Sequence, residues 1–429
     1  MLRRGTLLGL AILLSLALLA PPSHAAAGDV IWHHSDDGPG HSIDSGTTVI
    51  ASPDGARVYV AGWVTSVDDH ENAVVKAYDA ITGAPLWSRS YDGRGHGSDL
   101  FRDATLSADG SVLFATGFSK GVGTNFDFIT EAISTDDGAR LWVTRYAGPA
   151  RSDDEPEAIA VDPSGSRVFV GGFAGGVGGV VIAYSAASGA ELWRWSNASA
   201  WIFDIEVGAA GQAVFVGKMK GDDYIAARRG RTGKAIWSHR VGGDGYEVAE
   251  HLALTPDGAT AFMGGWVRDD TTGDDAVVSA YDVATGTSPW SHSYDDASHG
   301  DNHVWALASA ADGSGVFVSN GSYPAAGRLQ LLAIDDGTPD WGVSTPDPPL
   351  ELATGPPGFV VGMAEGGDTG RDYLAIPYDA ATGAPAAWFG TWTSSSGDPK
   401  DIAVTPDGGE VLVTGGATDD LTTVAFATG

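Results

Sequence analysis

Short apolar runs rich in β-branched residues alternate with tight turns along most of the chain. Thr48-Val49-Ile50-Ala51 leads into Ser52-Pro53-Asp54-Gly55, and Arg57-Val58-Tyr59-Val60-Ala61-Gly62 follows. Apolar flanks around a turn of this kind predict two strands joined by a hairpin. The same plan recurs around Gly110, Gly165, Gly211, Gly258, Gly313 and Gly408, with a worn copy near Gly358. A second signature is interleaved with the first. Ala77 to Trp87 spells AYDAITGAPLW, Ala280 to Trp290 spells AYDVATGTSPW, and Ala183 to Trp193 spells AYSAASGAELW. Looser copies run from Ala132 to Trp142 and from Ala227 to Trp237. Each repeat therefore holds four strands. The first two flank the Pro-Asp-Gly turn, the third ends at a Thr-Gly turn, and the fourth carries a tryptophan.

Those tryptophans are Trp32, Trp87, Trp142, Trp193, Trp237, Trp290, Trp341 and Trp388, at steps of 55, 55, 51, 44, 53, 51 and 47 residues. Four-stranded units of roughly 40–50 residues are the blades of a propeller. The expected fold is all-β, an eight-bladed β-propeller. Seven blades is the fallback if the worn unit near Gly358 is not a blade. The termini support a closed ring. The chain ends on a third strand, Val424 to Ala427, followed by Thr428-Gly429, and Asp29-Val30-Ile31-Trp32 supplies a fourth strand with nothing before it. Joined, they match the Thr82 to Trp87 spacing, so the N-terminal strand is expected to complete the last blade and remove an open sheet edge. The eight tryptophans are expected to fill the wedges between blades, each worth up to roughly 4–6 kcal/mol of apolar burial.

The first 27 residues read differently. Arg3 and Arg4 precede an apolar run from Leu7 to Ala20, then Pro21-Pro22 and the small residues up to Ala27. This is the pattern of a signal peptide, too short for a confident membrane span. The expected product is residues 28–429 as one exported, extracellular propeller domain without a membrane span. Low lysine content beside abundant Ala, Gly, Asp and Arg suggests a bacterial source.

Composition narrows the chemistry. The 429 residues include no cysteine, 24 Lys plus Arg and 55 Asp plus Glu, for a formal charge of −31. Disulfides, thiolate metal sites and a cysteine nucleophile are excluded. A surface this acidic repels phosphate, so nucleic acid is not an expected partner.

Alternate loops of a propeller fall on opposite faces. The short, uniform Pro-Asp-Gly and Thr-Gly turns share one face. The loops after strands two and four share the other and are longer and irregular, where function tends to reside. After strand two come Asp68-Asp69-His70-Glu71, Asp222-Asp223, Asp269-Asp270, Asp274-Asp275 and Asp419-Asp420. After strand four, His41 with Asp44, His96 with Asp99, and His299 with Asp301 take similar places before their turn glycines, and Asp154 and Glu247 continue the acidic column. Gathered at one mouth, such oxygens suit Ca²⁺, and mixed His and Asp suit a transition metal. The competing reading is that each Asp bonds its own loop backbone. Trp63, Phe118, Phe173 and Trp266 share a column at the ends of second strands. They pack between blades or form an aromatic rim for a sugar or peptide. No Gly-x-Ser-x-Gly elbow or His-Glu-x-x-His motif occurs, and no catalytic residue is assigned.

The Ala-x-Asp-x-x-Thr-Gly-x-x-x-Trp pattern at Ala77 to Trp87 and Ala280 to Trp290 resembles the tryptophan-docking motif of quinoprotein-like (PQQ-like) propellers. Arg145 to Pro149 through Ser152-Asp153-Asp154 to Val161 also resembles bacterial secreted β-propeller repeats. The resemblance spans residues 28–429 and implies the scaffold. The superfamily includes dehydrogenases that use pyrroloquinoline quinone (PQQ) and non-catalytic envelope scaffolds. Many of the dehydrogenases carry an adjacent cysteine pair and long insertions, both missing here. The expectation is therefore a secreted, monomeric, non-catalytic module that binds an extracellular protein or glycan through its acidic loop face, with no cofactor beyond a possible Ca²⁺. The alternatives are a PQQ- and calcium-dependent oxidoreductase and, more weakly, a metal-dependent hydrolase or lactonase.

Overall fold

The computed structural model describes residues 25–68, 70–219, 222–229, 232–239, 247–269, 271–295, 299–322, 327–356, 358–366, 372–393 and 397–429, with only the backbone at 222–229 and 364–366. Most of the expected signal peptide, residues 1–24, lies outside them, as do Asp69 and Asp270. Of Asp222 and Asp223 only the strand course is described. Among the described residues no helix is long and apolar enough to cross a membrane.

Among the described residues thirty-two strands, β1 to β32 in chain order, form four-stranded antiparallel sheets. Seven of these sheets follow the chain without interruption, over residues 45–91, 99–146, 154–197, 200–239, 247–294, 303–345 and 351–392. The eighth takes three strands from residues 397–427 and its fourth from the N-terminus. There β1 (Val30–Asp36) pairs with β32 (Asp420–Ala427), from Val30 opposite Phe426 to Asp36 opposite Leu421. Two backbone bonds extend the seam, Gly28 N to Ala427 O at 2.8 Å and Ala427 N to Asp29 O at 2.9 Å.

The first strands of successive sheets are β2 (Ser45–Ala51), β6 (Asp99–Leu106), β10 (Asp154–Val161), β14 (Ala200–Val207), β18 (Glu247–Leu254), β22 (His303–Ser309), β26 (Glu351–Gly355) and β30 (Gly397–Val404). Each touches the next, and β30 touches β2, so they close a ring about one axis. The architecture is an all-β propeller. The worn repeat at Gly358 forms a sheet like the others, but its fourth strand is reduced to Gly390–Trp392. Trp388 accordingly lies just before that strand and not on it.

Middle strands are buried on both faces, so they read as unbroken apolar runs such as Val58-Tyr59-Val60-Ala61. The core lies between blades. One cluster joins Trp32, Leu412, Leu421 and Ala425 of the last sheet to Val49, Val58, Val60 and Tyr78 of the first.

The repeated tryptophans act at these seams. Trp32 Nε1 donates to Ala80 O of the next blade at 2.6 Å, and its ring lies against Gly83. The same indole-to-carbonyl bond joins Trp87 to Thr135, Trp142 to Ala186, Trp237 to Val283, Trp290 to Ile334 and Trp341 to Ala380, at 2.7–3.0 Å. Trp193 packs in the same way against Gly233, and Trp388 lies near Gly28. Gly83 has φ 67°, and a Cβ on it would fall 2.7 Å from the indole of Trp32. Both the turn and the approach of the ring therefore call for glycine.

Candidate functional site

The two faces of the ring are chemically unlike. On the turn face the aspartates of the Pro-Asp-Gly turns and their variants are consumed by their own turns. Asp54 Oδ1 accepts from Ser52 Oγ at 2.6 Å and from Ala56 N at 3.0 Å. Ser107 with Asp109, Thr255 with Asp257 and Thr405 with Asp407 repeat the pair at 2.6–2.8 Å. These donors hold Asp54, Asp257 and Asp407 below the usual carboxylate range and Asp109 down to about 2. Cavities of about 730 Å³ and 530 Å³ open on this face between blades. Turn residues line much of them, including Ala310 to Asp312 and Gly358 in the first and Pro53, Asp54 and Gly110 in the second.

On the loop face the His and Asp columns separate. Asp44, Asp99 and Asp154 are buried. Asp99 accepts from Gly93 N at 2.6 Å and Lys120 N at 3.1 Å, and Asp154 from Gly148 N at 2.5 Å and Gly175 N at 2.8 Å. Asp44 does the same with Gly38 N and Thr65 N. Each carboxylate thus staples the inter-blade loop to the end of its own second strand. The histidines turn away: His41 and His96 side chains are 78% and 79% exposed. They sit at φ 50° and 46°, with His299 at 51° and Arg151 at 52° in the same place. The Nδ1 atoms of His96 and His299 lie 3.0 Å and 2.6 Å from Asp92 and Asp295, and His41 faces Asp37 likewise.

One register must be corrected. In the sixth blade the residue equivalent to Asp44 is the buried Asn302, which accepts from Ser322 Oγ at 3.2 Å, and Asp301 beside it is exposed. An amide oxygen accepts as a carboxylate does, so the loop survives the exchange. Among the described residues no group of three or more His, Cys, Asp or Glu side chains is arranged to hold a metal ion. The His and Asp columns do not converge.

The aromatic column divides into separate groups, Trp63 with Phe118, Phe173 with Trp201, and Trp266 with His303. Trp63, Phe118, Phe173 and Trp266 stand opposite Ser45, Leu100, Glu155 and Val248 on the adjoining first strands, all half-buried. Other rings join them. Trp201 stacks on Phe173 at 4.6 Å and on Phe203 at 6.0 Å, with Lys218 Nζ 5.1 Å from its centre. Trp266 stacks on His303 at 5.1 Å, and His303 on Trp305 at 5.8 Å.

Several of these partners come from a feature that the strand pattern did not reveal. In seven first strands the pairing slips by one residue, leaving Thr47, Arg102, Glu157, Phe203, Glu250, Trp305 and Lys400 as bulges. A bulge re-aims the side chains on either side of it. Thr47, Arg102 and Lys400, from three blades, line a single cavity of about 380 Å³ with Trp63, Leu100 and Phe118. That cavity marks the mouth of the central channel.

The residue after the bulge faces the next blade. Asp103 accepts from Ile159 N at 2.9 Å, Asp204 from Leu252 N at 2.8 Å and Asp401 from Val49 N at 2.7 Å. Each also accepts from its own following amide at 2.7–2.8 Å. Glu206 and Glu351 stand near these three. All five lie deep in the ring, although the channel leaves them only partly covered. Desolvation pushes Asp204 and Asp401 up to about 6 and Asp103 to about 7. Desolvation and then neighbouring carboxylates push Glu206 and Glu351 up to about 8. Desolvation pushes His251, in the same layer, down to about 4. The only trace in the sequence is Arg102-Asp103-Ala104, Phe203-Asp204-Ile205 and Lys400-Asp401-Ile402, an Asp-apolar pair after the bulge in the second, fourth and eighth sheets that Trp305-Ala306 of the sixth does not share.

Fold comparison finds several propellers. Sqt1 from Chaetomium thermophilum, in a crystal structure with the N-terminus of the ribosomal protein L10, has a TM-score of 0.62 at 13% identity, covering 90% of this chain and 97% of that one. Quinohemoprotein alcohol dehydrogenase from Comamonas testosteroni has a TM-score of 0.61 at 12% identity, covering 94% and 76%. Identities this low speak for the fold alone. No curated protein matches the sequence. A family model described as outer membrane protein assembly factor BamB matches residues 23–179 and 177–429, and the chain belongs to this family of PQQ-like β-propeller repeats.

Proposed function

We propose that this chain is an exported, non-catalytic binding propeller that engages an extracellular protein or glycan through the loop face around its channel mouth. The observation that carries this reading is the contrast in exposed chemistry. The turn face spends its polar groups on its own turns, whereas the loop face holds half-exposed aromatic rings beside Arg102, Lys218 and Lys400. Aromatic rings with polar neighbours are the usual material of a recognition surface. The family's description as an assembly factor and the peptide seated on Sqt1 both accord with a scaffold role.

The quinone alternative fits these residues poorly. PQQ carries three carboxylates and would meet Asp103, Asp204, Asp401, Glu206 and Glu351 in the channel. Arg102 and Lys400 already lie 2.9 Å from Glu157 and 2.8 Å from Asp398. A direct test incubates the purified full-length chain with glycan arrays, wall fractions and extracellular proteins, and assays dye reduction after adding PQQ and Ca²⁺. Binding that is lost in Trp201→Ala and kept in Asp54→Ala supports the proposal. Dye reduction with turnover, and no binding in any format, overturns it.

A further inference from the structure

The cavity at the channel mouth has a composition more specific than a general recognition surface. Trp63 and Phe118 stand on adjacent blades, both half-exposed, and Thr47, Leu100, Arg102 and Lys400 line the cavity with them. Its volume, about 380 Å³, falls in the ~300–1,000 Å³ range of small-ligand sites. Arg102 lies 5.7 Å from the centre of the Phe118 ring, which fixes its guanidinium beside the aromatic wall.

Both cations there are already paired. Arg102 contacts Glu157 at 2.9 Å and Glu155 at 3.6 Å, and Lys400 contacts Asp398 at 2.8 Å. Thr47 Oγ1 donates to Ala61 O at 3.1 Å or Phe101 O at 3.0 Å, leaving its lone pairs as acceptors. An anion entering this site must compete with carboxylates for both cations, and a cation must approach both positive heads. A neutral ligand carrying hydroxyls avoids both costs, because it donates to the carboxylates and accepts from the cations without breaking either pair. The flat walls suit the C–H face of a sugar ring in the same way. A peptide anchor is a poorer match, since protein hot spots sit in fully desolvated pockets and this cavity is charged and open.

We infer that the cavity of Trp63, Phe118, Thr47, Arg102 and Lys400 is a binding site for a neutral oligosaccharide. This rests on the binding-module reading and gives it a ligand class. A second cavity of about 220 Å³, lined by Phe173, Trp201 and Lys218, repeats the pairing of rings with a cation two blades further on.

The test is isothermal titration of the full-length chain with neutral cello-, xylo-, manno- and chito-oligosaccharides. Oligogalacturonate and a set of acidic and basic peptides serve as comparators. Binding of a neutral oligosaccharide is expected, with quenching of tryptophan fluorescence. Its affinity should change little between about 50 mM and about 500 mM salt, because no net charge is exchanged. Trp63→Ala should weaken binding about tenfold, the worth of one aromatic contact. Trp63→Phe, which keeps a ring in the wall, should weaken it less and guards against misfolding of the alanine variant. Binding confined to oligogalacturonate, or falling steeply with salt, overturns the inference. Capture of a peptide or protein at the loop face with no neutral glycan bound also overturns it and leaves the binding-module reading standing. Failure of every ligand together with measured turnover overturns both.

Discussion

Carboxylates on the turn face and carboxylates in the channel have opposite fates in the same ring. Asp54 and Asp109 lie at the surface and receive hydroxyl and amide donors from their own turns, which favours the charged form. Asp103, Asp204 and Asp401 also receive two amide donors each, yet burial outweighs those bonds and favours the neutral form. Local donors decide where water is plentiful, and desolvation decides where it is scarce. The turn face is therefore a mechanical surface made of repeated, self-contained parts. The channel and its mouth are where polar groups remain in tension with their surroundings, the setting in which functional groups are usually found.

The largest expected effect breaks the mechanical face. Gly83→Ala forces a Cβ against the Trp32 indole at φ 67°, at the seam between the last and first blades. Overpacking and a left-handed backbone together should cost about 2–4 kcal/mol. Chemical denaturation measures it. Ligand binding at the mouth should be unchanged in the folded fraction. A variant as stable as the parent means that the seam yields, and the turn face is then not the rigid partner in the comparison.

Next in size is the pH dependence of the channel. A carboxylate whose folded pKa is raised binds its proton more tightly in the folded state. Its stabilising contribution is complete below the unfolded value near 4 and is lost as pH rises through the folded value. With Asp204 and Asp401 at about 6, Asp103 at about 7 and Glu206 and Glu351 at about 8, stability should fall between pH 4 and 8. His251 opposes this over the lower part of the range. Its folded value is depressed to about 4, so its contribution is present above 6.5 and lost as pH falls. Five raised carboxylates outweigh one depressed imidazole, so the net change across this range is a loss of stability. Melting temperatures at pH 5 and pH 8 measure the slope, and Glu206→Gln with Glu351→Gln should flatten it. A melting temperature that rises from pH 5 to pH 8 contradicts the assignment of these groups.

How much of this was legible depends on whether the local pattern carried it. Turn glycines and tryptophans repeat because every blade solves the same packing problem, so strands, seams and closure could be counted from the chain. Trp63, Phe118, Phe173 and Trp266 were readable as a rim because each stands a fixed distance past its turn. Arg102, Lys400 and Asp204 leave an Asp-apolar pair in the chain but not their direction, because a bulge shifts the side-chain alternation by one and strict period-two reading mis-aims everything before or after it. The Asn302 exchange escaped for a related reason. Counting residues to Gly313 finds an aspartate one place away, whereas the loop selects by acceptor geometry.

A smaller effect sharpens the channel half of the comparison. Asp204→Ala removes the acceptor for Leu252 N of the next blade and for Ile205 N. Unpaired amides cost about 1–3 kcal/mol, and water in the channel offsets part of that, so a loss of about 1–2 kcal/mol at pH 5 is expected. At pH 8 the loss should shrink, because the same substitution removes a desolvated charge. Asp204→Asn keeps an acceptor and should be milder at pH 5. Equal losses at both pH values for Asp204→Ala would show that the carboxylate acts as an acceptor only.

The smallest effect lies on the turn face at acid pH. Asp109 has a folded value near 2 against an ordinary value of 3.8, so its contribution is present above about 4 and fades as pH falls toward 2. This is the reverse of the channel slope. The two together place the stability maximum near pH 4 to 5, below the range in which most proteins are most stable. Asp109→Asn should leave stability at pH 7 slightly reduced and make the acid limb shallower, since Asn keeps the acceptor for Ser107 and Ser111 but has no proton to gain. Thermal melts of both proteins from pH 2 to pH 5 resolve it. Parallel acid limbs mean that the turn bonds do not depend on charge, and the two faces then differ in burial alone.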